Sequence, residues 1–491
     1  MDDLYDEVPY PGLPLPQTHP SQLATLGFLH GLEPAPVERC RVLELGCGDG
    51  GNLIPMALDL PESEFVGIDL SAPAIATGRR VIESLSLNSI QLRPLDLMNL
   101  GADLGEFDYI IAHGLYSWVP PEVRDRILDI CREHLSGNGI AYVSYNTYPG
   151  FHRRQMFREM MLYHTRNVEE PLERVRQGVE LVECIAEARG KDEVPRALLE
   201  EELQHLADCA PWYLYHDDMA ASNAAFYFFD FIGKARQRRL QYLSEADFYE
   251  MQDHIYPENV TERLRRFAGD DIILREQYLD FIKGRSFRQT LLCREEVPVD
   301  RTIGPRQARR MHFASLARPV TEQPDLTSDK LEEFRGSRGA ALKTDYPPAK
   351  AALFRLGTVW PQSVPFIDLA RGSADETLAE MLWQAFAAGL VEANIRAWKF
   401  VTVPGKRPVA SPLARLEAQS ASLVTNQRHT AVELEDDTDR FLLMHLDGAR
   451  DRSALLAGLA EFARSRAEET VTADALEMRL NRLAEYALLV G

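Results

Sequence analysis

The chain has 491 residues, too many for one hydrophobic core, so we expect roughly two to four domains. Its 75 acidic residues outnumber 54 Lys and Arg, and the formal net charge of −21 disfavours nucleic acid as a partner because it repels a phosphate backbone. The opening MDDLYDEVPYPGLPLPQTHP does not resemble a signal peptide and no window is apolar for long enough to span a membrane, so we expect a cytoplasmic protein without membrane insertion. The six cysteines form no C-x-x-C pair, which argues against a metal site or a disulfide framework.

The first third of the chain alternates between predicted strands and helices, after a proline-rich arm over residues 5–20 that suits an extended conformation. The predicted strands are Cys40–Leu45, Glu64–Asp69, Ile90–Leu95, Phe107–Ile111 and Gly139–Asn146. The predicted helices are Asn52–Asp59, Pro73–Leu85 and Glu122–Leu135. This alternation indicates right-handed crossovers and an α/β fold with a doubly wound, Rossmann-like parallel sheet.

Beyond residue 146 the pattern changes to one that is mainly helical over residues 150–235. Two later segments, Arg239–Ser244 and Phe287–Arg294, are strand candidates. We expect them to form an antiparallel pair that closes one edge of the sheet, with an insertion between them. Residues 295–346 are polar and contain several prolines, so we interpret them as a linker with limited structure.

Two small helical units follow this linker. In residues 347–400, Ser373 and Glu376 form a predicted capping box ahead of an apolar helical stripe. Residues 430–491 again contain short predicted helices, the last of them with an apolar stripe. The segments RAWKFVTV and YALLV are predicted terminal strands, so both units are typical of winged helices. The helix ADETLAEMLWQAFAAGL is acidic and apolar, which favours protein contact over DNA recognition.

The stretch RVLELGCGDGGN, residues 41–52, allows two interpretations. Gly46, Gly48 and Gly51 fit the G-x-G-x-x-G turn of dinucleotide-binding proteins. Glu44, two residues ahead of the first glycine, instead makes the E-x-G-x-G-x-G turn that holds S-adenosylmethionine. A nicotinamide site has an apolar residue at that point, whereas a methyltransferase has an acid that fixes the loop and the amino group of the ligand.

Further acids at strand ends favour the methyl donor. Asp69 closes the second strand, where an acid accepts hydrogen bonds from ribose hydroxyls in either kind of site. Asp96 closes the third strand and is placed to accept from an adenine amino group, although capping of the following loop is an alternative role. Asn52 is not followed by the alanine-rich helix that seats a pyrophosphate. We therefore predict S-adenosylmethionine as the cofactor and S-adenosylhomocysteine as the product.

An acceptor site is predicted at the carboxyl ends of the fourth and fifth strands, in the loops HGLYSWVP and YNTYPGFH. Methyl transfer from a sulfonium releases a neutral thioether, so the site needs no acid, but an amine acceptor must lose its proton. An apolar aromatic channel lowers the lysine pKa from its usual value of about 10.4, and aromatic faces tolerate the sulfonium. The candidate catalytic residues are His113, Tyr116, Trp118, Tyr145, Asn146 and Tyr148.

These candidates have structural alternatives that the sequence leaves open. Trp118 and Tyr148 suit loop anchors in the core as well as cleft residues, and His113 suits a proton acceptor, a lid over the donor or a structural histidine. In PWYLYHDDMAASNAAFYFFDF, the acids Asp217 and Asp218 are placed either to attract a substrate lysine or to cap a helix.

Residues 38–146 resemble a class I S-adenosylmethionine-dependent methyltransferase, because four strand ends agree in order and spacing. With its flanks included, the chain is similar to bacterial methyltransferases that carry a regulatory domain. The characterised members of that group are protein-lysine methyltransferases of rickettsial outer-membrane proteins. The resemblance rests on PYPGLPLPQTHPSQLATLG, ELGCGDGGNLIPMA, FDYIIAHGLYSWVP, GIAYVSYNTYPGFH, MMLYHT, QYLSEADF and FRQTLLCR, and it fades after residue 300.

The resemblance implies a helical middle domain and a C-terminal winged-helix region that fold around the catalytic domain. It also implies that the arm folds over the carboxylate of the cofactor, although capping of the next helix is an alternative. The expected segments are a donor-binding core with its arm at 1–165, a regulatory region at 166–300, a linker at 301–345, and winged-helix-like units at 346–405 and 406–491. The predicted donor-binding residues are Gln17, Thr18, His19, Glu44, Gly46, Cys47, Gly48, Asn52, Asp69, Leu70, Asp96, Leu97 and His113.

The expected activity is methylation of lysine side chains on a protein substrate in a cleft between domains. The resemblance implies that the substrate is a surface or outer-membrane protein that is methylated before its export. Methylation of a small molecule is the alternative enzyme reaction, and a degenerate methyltransferase fold that serves as a binding scaffold is the alternative without chemistry. The intact Glu44, Gly46, Gly48 and Asp69 argue against the scaffold.

Overall fold

The computed structural model describes residues 11–188, 194–220, 222–253, 255–336, 339–466 and 471–491. The first part of the proline-rich arm therefore lies outside the described residues. Its remainder runs through a short 3-10 helix, Pro16–Thr18, into the first α-helix, α1 (Pro20–Leu29). The imidazole of His19 caps α1 by accepting a hydrogen bond from the Ser21 N–H.

The sheet is doubly wound, which confirms the predicted fold class. Its strand order is β3-β2-β1-β4-β5-β8-β7, in which β8 alone runs antiparallel to the other strands. The order in which strands are added to the sheet reverses between β1 and β4, and this is the switch point where such sheets bind ligands. The strands are β1 (Arg41–Leu45), β2 (Glu64–Asp69), β3 (Ile90–Pro94), β4 (Phe107–Ala112), β5 (Leu135–Thr147), β7 (Leu240–Glu245) and β8 (Phe287–Arg294), with the two-residue β6 (Ala225–Phe226) beside the end of β5.

Helices cover both faces of this sheet, so its central strands are buried and nearly all apolar. In β1 every residue after Arg41 is buried, and one of them is the acid Glu44. The crossover helices are α2 (Leu53–Asp59), α3 (Ala72–Ser84) and α4 (Pro121–His134).

The middle region is helical, and its two strands pair with each other at the edge of the sheet, as the sequence predicted. A helical hairpin lies between these strands. The helices are α5 (Phe151–His164), α6 (Pro171–Glu187), α7 (Val194–Asp208), α8 (Pro211–Asp217), α9 (Phe228–Gln237), α10 (Glu258–Ala268) and α11 (Ile272–Lys283), of which α10 and α11 form the hairpin.

A buried group of charges, here called the Arg288 cluster, ties this hairpin to the sheet. The guanidinium of Arg288 is fully buried, and it pairs with Asp280 and Glu276 of α11 and with Glu245 of β7. Arg285 pairs with Asp280 at 3.0 Å and completes the cluster. A buried cluster of this kind is stable only if each charge has a partner of opposite sign.

The predicted linker is more ordered than its composition indicated, and this is a correction. Pro305–Ala308 forms a short helix, α12, and His312–Ala314 (β9) joins a three-stranded sheet with strands from later in the chain. Short strands Arg318–Pro319 (β10), Glu332–Arg335 (β11) and Ala341–Thr344 (β12) form another sheet. Buried Phe313 in β9 and Phe334 in β11 explain the difference, since two buried rings hardly change the mean polarity of the segment.

The two winged-helix-like units follow. The first contains α13 (Pro347–Val359), β13 (Val364–Pro365), α14 (Phe366–Leu369), α15 (Glu376–Ala387) and β14 (Glu392–Asn394), with β9 between β13 and β14. The second contains α16 (Pro412–Glu417), β15 (Leu423–Thr425), β16 (Ala431–Glu433), α17 (Asp437–Met444), α18 (Arg452–Ser465) and α19 (Ala473–Glu485). Among the described residues, no helix is both long and apolar enough to span a membrane.

Three local predictions in these units were wrong. The cap of α15 is Asp375, whose carboxylate accepts from the Leu378 N–H, while the Ser373 hydroxyl donates to the carbonyl of Ala370. RAWKFVTV forms no strand, and YALLV contributes a single bridge from Leu489. Both segments are apolar because their side chains pack against the rest of the unit. A strand-like composition fits such packing as well as it fits strand pairing, so the sequence does not distinguish the two.

Candidate active site at the carboxyl ends of the strands

The glycine turn after β1 takes a conformation that explains its composition. Gly46 and Gly48 have φ of 73° and 55°, in the left-handed region that favours glycine. Gly51 serves a different purpose, because the arm crosses the turn at Gly12 and a Cβ on Gly51 would lie 2.4 Å from the Gly12 backbone. The arm and the turn therefore form one unit.

Glu44 lies beneath this turn at the switch point of the sheet. Its carboxylate is buried, and Oε1 accepts a hydrogen bond from Asn52 Nδ2 at 2.8 Å. Within the described part of the chain, Glu44 Oε2 has no hydrogen-bond partner. Burial raises the pKa of Glu44 to about 8, although the Asn52 hydrogen bond acts in the opposite direction. An open buried acceptor of this kind suits a cationic group such as the ammonium of an amino acid.

Asp69 ends β2 beside the same turn. Its Oδ2 accepts from the Gly48 N–H and its Oδ1 from the Ser71 N–H, both at 2.8 Å. The carboxylate therefore holds the turn and the start of α3 in one arrangement. Leu70, the next residue, is 56% exposed.

The other predicted donor-binding residues near the turn differ in accessibility. Asp96 is exposed and caps a short 3-10 helix by accepting from the Met98 N–H at 2.9 Å, as its alternative role requires. Leu97 is buried behind it. Cys47 is buried in the turn, and burial raises the pKa of its thiol, so the thiol stays protonated.

The arm motif Gln17-Thr18-His19 touches three parts of the site. Gln17 hydrogen-bonds the hydroxyl of Tyr142, and Thr18 hydrogen-bonds the side chain of Asn52. His19 places its Nε2 3.4 Å from Asp59, at the end of α2. His19 also caps α1, as its alternative role predicted.

His113 follows β4 and faces the arm. Its Nδ1 shares a hydrogen bond of 2.9 Å with the Tyr142 hydroxyl. Burial lowers the pKa of the His113 imidazole to about 4, so the ring is neutral at pH 7 and is a poor proton acceptor. This low pKa argues against the proton acceptor, one of the three roles that the sequence left open.

Tyr116 and Tyr145 do not line a cleft, which corrects the sequence prediction. Both rings are completely buried and pack on Phe231, with centroid distances of 5.2 and 4.2 Å. The Tyr145 hydroxyl hydrogen-bonds Thr290, on the neighbouring strand, and that of Tyr116 has no partner among the described residues. These tyrosines hold α9 against the sheet, and we assign them to packing.

The remaining acceptor-side candidates lie at the rim of the sheet. Asn146 donates to Asn223 Oδ1 at 2.7 Å and links the end of β5 to the middle region. Tyr148 is half-buried, stacks on His152 and donates its hydroxyl to Gln155 at 2.9 Å. Trp118 is half-buried in the loop after β4.

The acidic pair after α8 has two different environments. Asp218 is buried and pairs with Arg154 through two hydrogen bonds of 2.7 and 2.9 Å, so it has a structural role. Asp217 is half-buried, and burial together with the nearby Asp218 raises its pKa to about 7.

Several residues near the site were missed by the sequence analysis because they lie more than 300 positions away. Arg396 forms an ion pair with Asp59, and Trp398 lies 5.5 Å from the ring of His19. His429, in the turn between β15 and β16, approaches Asn52. No motif marks these residues, and the left-handed φ of 59° at His429 is visible only in the structure.

Comparisons with known proteins agree with this arrangement. Three family models match: a methyltransferase domain over residues 42–139, a predicted methyltransferase regulatory domain over 210–294, and the PKMT C-terminal winged helix domain over 406–487. The uncharacterized protein RP789 of Rickettsia prowazekii (strain Madrid E) is 33% identical over 93% of this chain and 85% of its own length. RP028 of the same organism is 37% identical over 49% of this chain and 96% of its own.

Solved structures extend the likeness to the whole fold. PKMT2 from Rickettsia typhi matches 98% of this chain and 100% of its own, with a TM-score of 0.89 and 28% sequence identity. The same protein in complex with AdoHcy matches with a TM-score of 0.88 and 27% identity. The chain therefore belongs to the S-adenosylmethionine-dependent methyltransferases that combine a class I methyltransferase domain, a methyltransferase regulatory domain and a C-terminal winged helix of the PKMT type.

Proposed function

We propose that this methyltransferase modifies lysine side chains of a protein substrate that lies across the middle region. The observation that carries the proposal is a row of neighbouring aromatic rings, here called the aromatic strip. It begins at the end of β5 and continues over the α10–α11 hairpin. Its members are Tyr148, Tyr227, Phe281, Tyr278 and Phe267, with successive ring-centroid distances of 5.3, 6.3, 6.2 and 5.7 Å.

The strip leads from the rim of the site to the surface. Tyr148 is half-buried beside the site, whereas Phe281 and Phe267 are 47% and 52% exposed. Contiguous exposed rings of this kind mark protein-interaction sites, and aromatic anchors carry much of the binding energy in such contacts. A small acceptor would have no use for apolar surface so far from the strand ends. PKMT2, the similar solved protein, supports the same acceptor class through its name.

The net charge of −21 suits a substrate that presents lysine. S-adenosylmethionine supplies an electrophilic methyl group on a sulfonium. The lysine nitrogen, once deprotonated, forms the new C–N bond as the C–S bond breaks, and S-adenosylhomocysteine leaves as a neutral thioether. The task of the chain is to orient the amine and to exclude water. In our proposal this task falls to half-buried Trp118 and Tyr148, in the loops that follow β4 and β5.

On the donor side we propose that Glu44 Oε2 binds the ammonium of the methionine part and that Asp69 accepts from the ribose hydroxyls. With the pKa of Glu44 raised to about 8, its carboxyl is mostly protonated at pH 7 before the ligand binds. Pairing with an ammonium requires the carboxylate. Ligand binding at pH 7 should therefore release about one proton, and the affinity should rise as the pH increases from 6 to 8.

The substitution Glu44→Gln keeps the size of the side chain and removes this titration. Titration calorimetry of S-adenosylhomocysteine at pH 7, in buffers of different ionisation enthalpy, measures the proton release directly. We expect about one proton for the native protein and none for E44Q, with affinity weaker by about 10- to 100-fold. Equal proton release by both proteins would exclude Glu44 as the titrating group.

The lysine acceptor is tested with S-adenosylmethionine labelled in its methyl group. The full-length protein is incubated with this donor and a fractionated lysate of the source organism, and labelled amino acids are identified after hydrolysis. The proposal predicts label in methylated lysine of a protein fraction. Label confined to small compounds contradicts the proposal and favours a small-molecule methyltransferase. The absence of labelled protein despite measured donor binding also contradicts the proposal.

The aromatic strip makes a separate prediction about substrate affinity. Phe281→Ala removes an exposed ring in the middle of the strip, so we expect the KM for the labelled protein fraction to rise about tenfold while the Kd for S-adenosylhomocysteine is unchanged. Met478→Ala is a matched control, because Met478 is 70% exposed but lies on α19. The strip has no role in substrate binding if F281A and M478A give the same KM.

A further inference from the structure

A turn of the C-terminal winged helix reaches the donor site of the catalytic domain. The turn joins β15 to β16, and its residue His429 is buried, with Nε2 2.8 Å from Oδ1 of Asn52. The matched winged-helix domain spans residues 406–487, so His429 belongs to it, whereas Asn52 precedes α2 in the methyltransferase domain. The contact joins residues 377 positions apart.

The direction of each hydrogen bond around Asn52 follows from a backbone group. The Leu15 N–H can only donate, and it lies 3.0 Å from Asn52 Oδ1, so that atom is the carbonyl oxygen of the amide. His429 Nε2 must then carry its proton and donate to the same oxygen. The amide nitrogen is left facing Glu44 Oε1, at 2.8 Å.

We infer that His429 is a positioning residue of the donor site, acting through Asn52 on Glu44. Asn52 has two rotamers of its terminal amide, and only one of them presents an N–H to Glu44. The hydrogen bond from His429 stabilises that rotamer. With Oε1 satisfied by Asn52, Glu44 keeps Oε2 open and oriented for the ammonium of the donor.

The surroundings of His429 keep its ring in place and neutral. The ring lies 5.3 Å from that of His19, which in turn lies 5.5 Å from Trp398. Burial lowers the pKa of His429, so one nitrogen carries a proton and one does not. Among the described residues its Nδ1 has no partner, which leaves Nε2 as its one hydrogen-bonding atom.

Donor affinity therefore depends on the docking of the C-terminal domain against the catalytic domain. This dependence goes beyond the proposed function, because it concerns the donor and holds whether the acceptor is a lysine or a small molecule. It gives the winged helix a role in the active site that is independent of any partner it binds.

The test compares four variants of the full-length chain. His429→Ala removes the hydrogen bond. His429→Asn also removes it, because its amide is too short to reach Asn52, but asparagine tolerates the left-handed φ of 59° better than most residues and so preserves folding. His429→Gln places an N–H close to the position of Nε2. His445→Ala is the control, since His445 is a half-buried histidine of the same domain whose imidazole hydrogen-bonds the carbonyl of Phe441 and packs on the Phe441 ring.

The measurements are the Kd of S-adenosylhomocysteine by calorimetry and the thermal midpoint of each variant without ligand. We expect H429A and H429N to raise the Kd about tenfold, which corresponds to the loss of roughly one hydrogen bond. We expect H429Q to recover most of the native affinity. H445A should keep the native Kd. The inference is overturned if H429N folds and binds within twofold of the native protein, or if H445A weakens binding as much as H429A, since the effect would then be general destabilisation.

Discussion

Replacing Asp69 by alanine should reduce the affinity for S-adenosylhomocysteine by at least about 100-fold. The carboxylate holds the Gly48 and Ser71 N–H groups at 2.8 Å, so its removal frees the glycine turn from the start of α3. In our proposal it also accepts from the ribose hydroxyls. Hydrogen bonds to a charged group contribute about 1.5–3 kcal/mol each, and two of them account for this factor.

Calorimetric titration of D69A with S-adenosylhomocysteine measures the loss directly. Asp103→Ala is the matched control, because Asp103 is an exposed acid in the loop before β4 and should leave the Kd unchanged. Asp96→Ala separates the two roles of that residue, since an adenine contact predicts weaker binding and a cap alone predicts a native Kd. An unchanged Kd for D69A would remove Asp69 from the donor site.

Arg288→Met should cost about 3–5 kcal/mol in the free energy of unfolding. Methionine fills much of the same volume, but three buried carboxylates, Glu245, Glu276 and Asp280, would be left with Arg285 as their only cluster cation. The native guanidinium bonds Asp280 at 2.9 Å and Glu276 at 3.2 Å. Chemical denaturation, followed by circular dichroism, measures the difference.

The pH dependence of this loss has a definite sign. Burial raises the pKa of Asp280 to about 6, although Arg288 and Arg285 lower it. A carboxyl whose pKa is raised on folding stabilises the protein at low pH and loses this contribution as the pH rises through the folded value. Removal of Arg288 raises the pKa of Asp280 further. The loss in the free energy of unfolding of R288M, relative to the native protein, should therefore be larger at pH 8 than at pH 5.5. A penalty independent of pH would show that lost packing, and not unpaired charge, is the cause.

A surface control distinguishes burial from charge alone. Arg176 pairs with Glu173 and Glu180 on the exposed face of α6. Water screens that pair, so Arg176→Ala should leave the unfolding midpoint unchanged. Equal losses for R176A and R288M would contradict the role assigned to the Arg288 cluster.

The local parts of the fold were predictable from the sequence because their causes are local. Alternating strands and helices require right-handed crossovers, and β7 and β8 were recognised from their own composition. Glu44 ahead of Gly46 and Gly48 predicted a donor turn for the same reason, and the backbone there takes the glycine conformations that such a turn needs.

The errors arose where packing decides what a residue does. Tyr116 and Tyr145 lie in loops and strand ends that the sequence places near the acceptor, yet α9 covers both rings. An aromatic side chain is equally suited to a cleft and to a core, and only its neighbours distinguish the two. The linker was misjudged because single buried rings such as Phe334 scarcely alter the average composition.

The sequence by itself determined the methyltransferase class, the glycine turn after the first strand and the doubly wound kind of sheet, because each depends on residues close together in the chain. Only the tertiary structure decided which aromatic rings are exposed and that His429 and Arg396 contact Asn52 and Asp59 of the catalytic domain. Those contacts span more than 300 residues, and no local pattern encodes a pairing that forms only when separate domains dock.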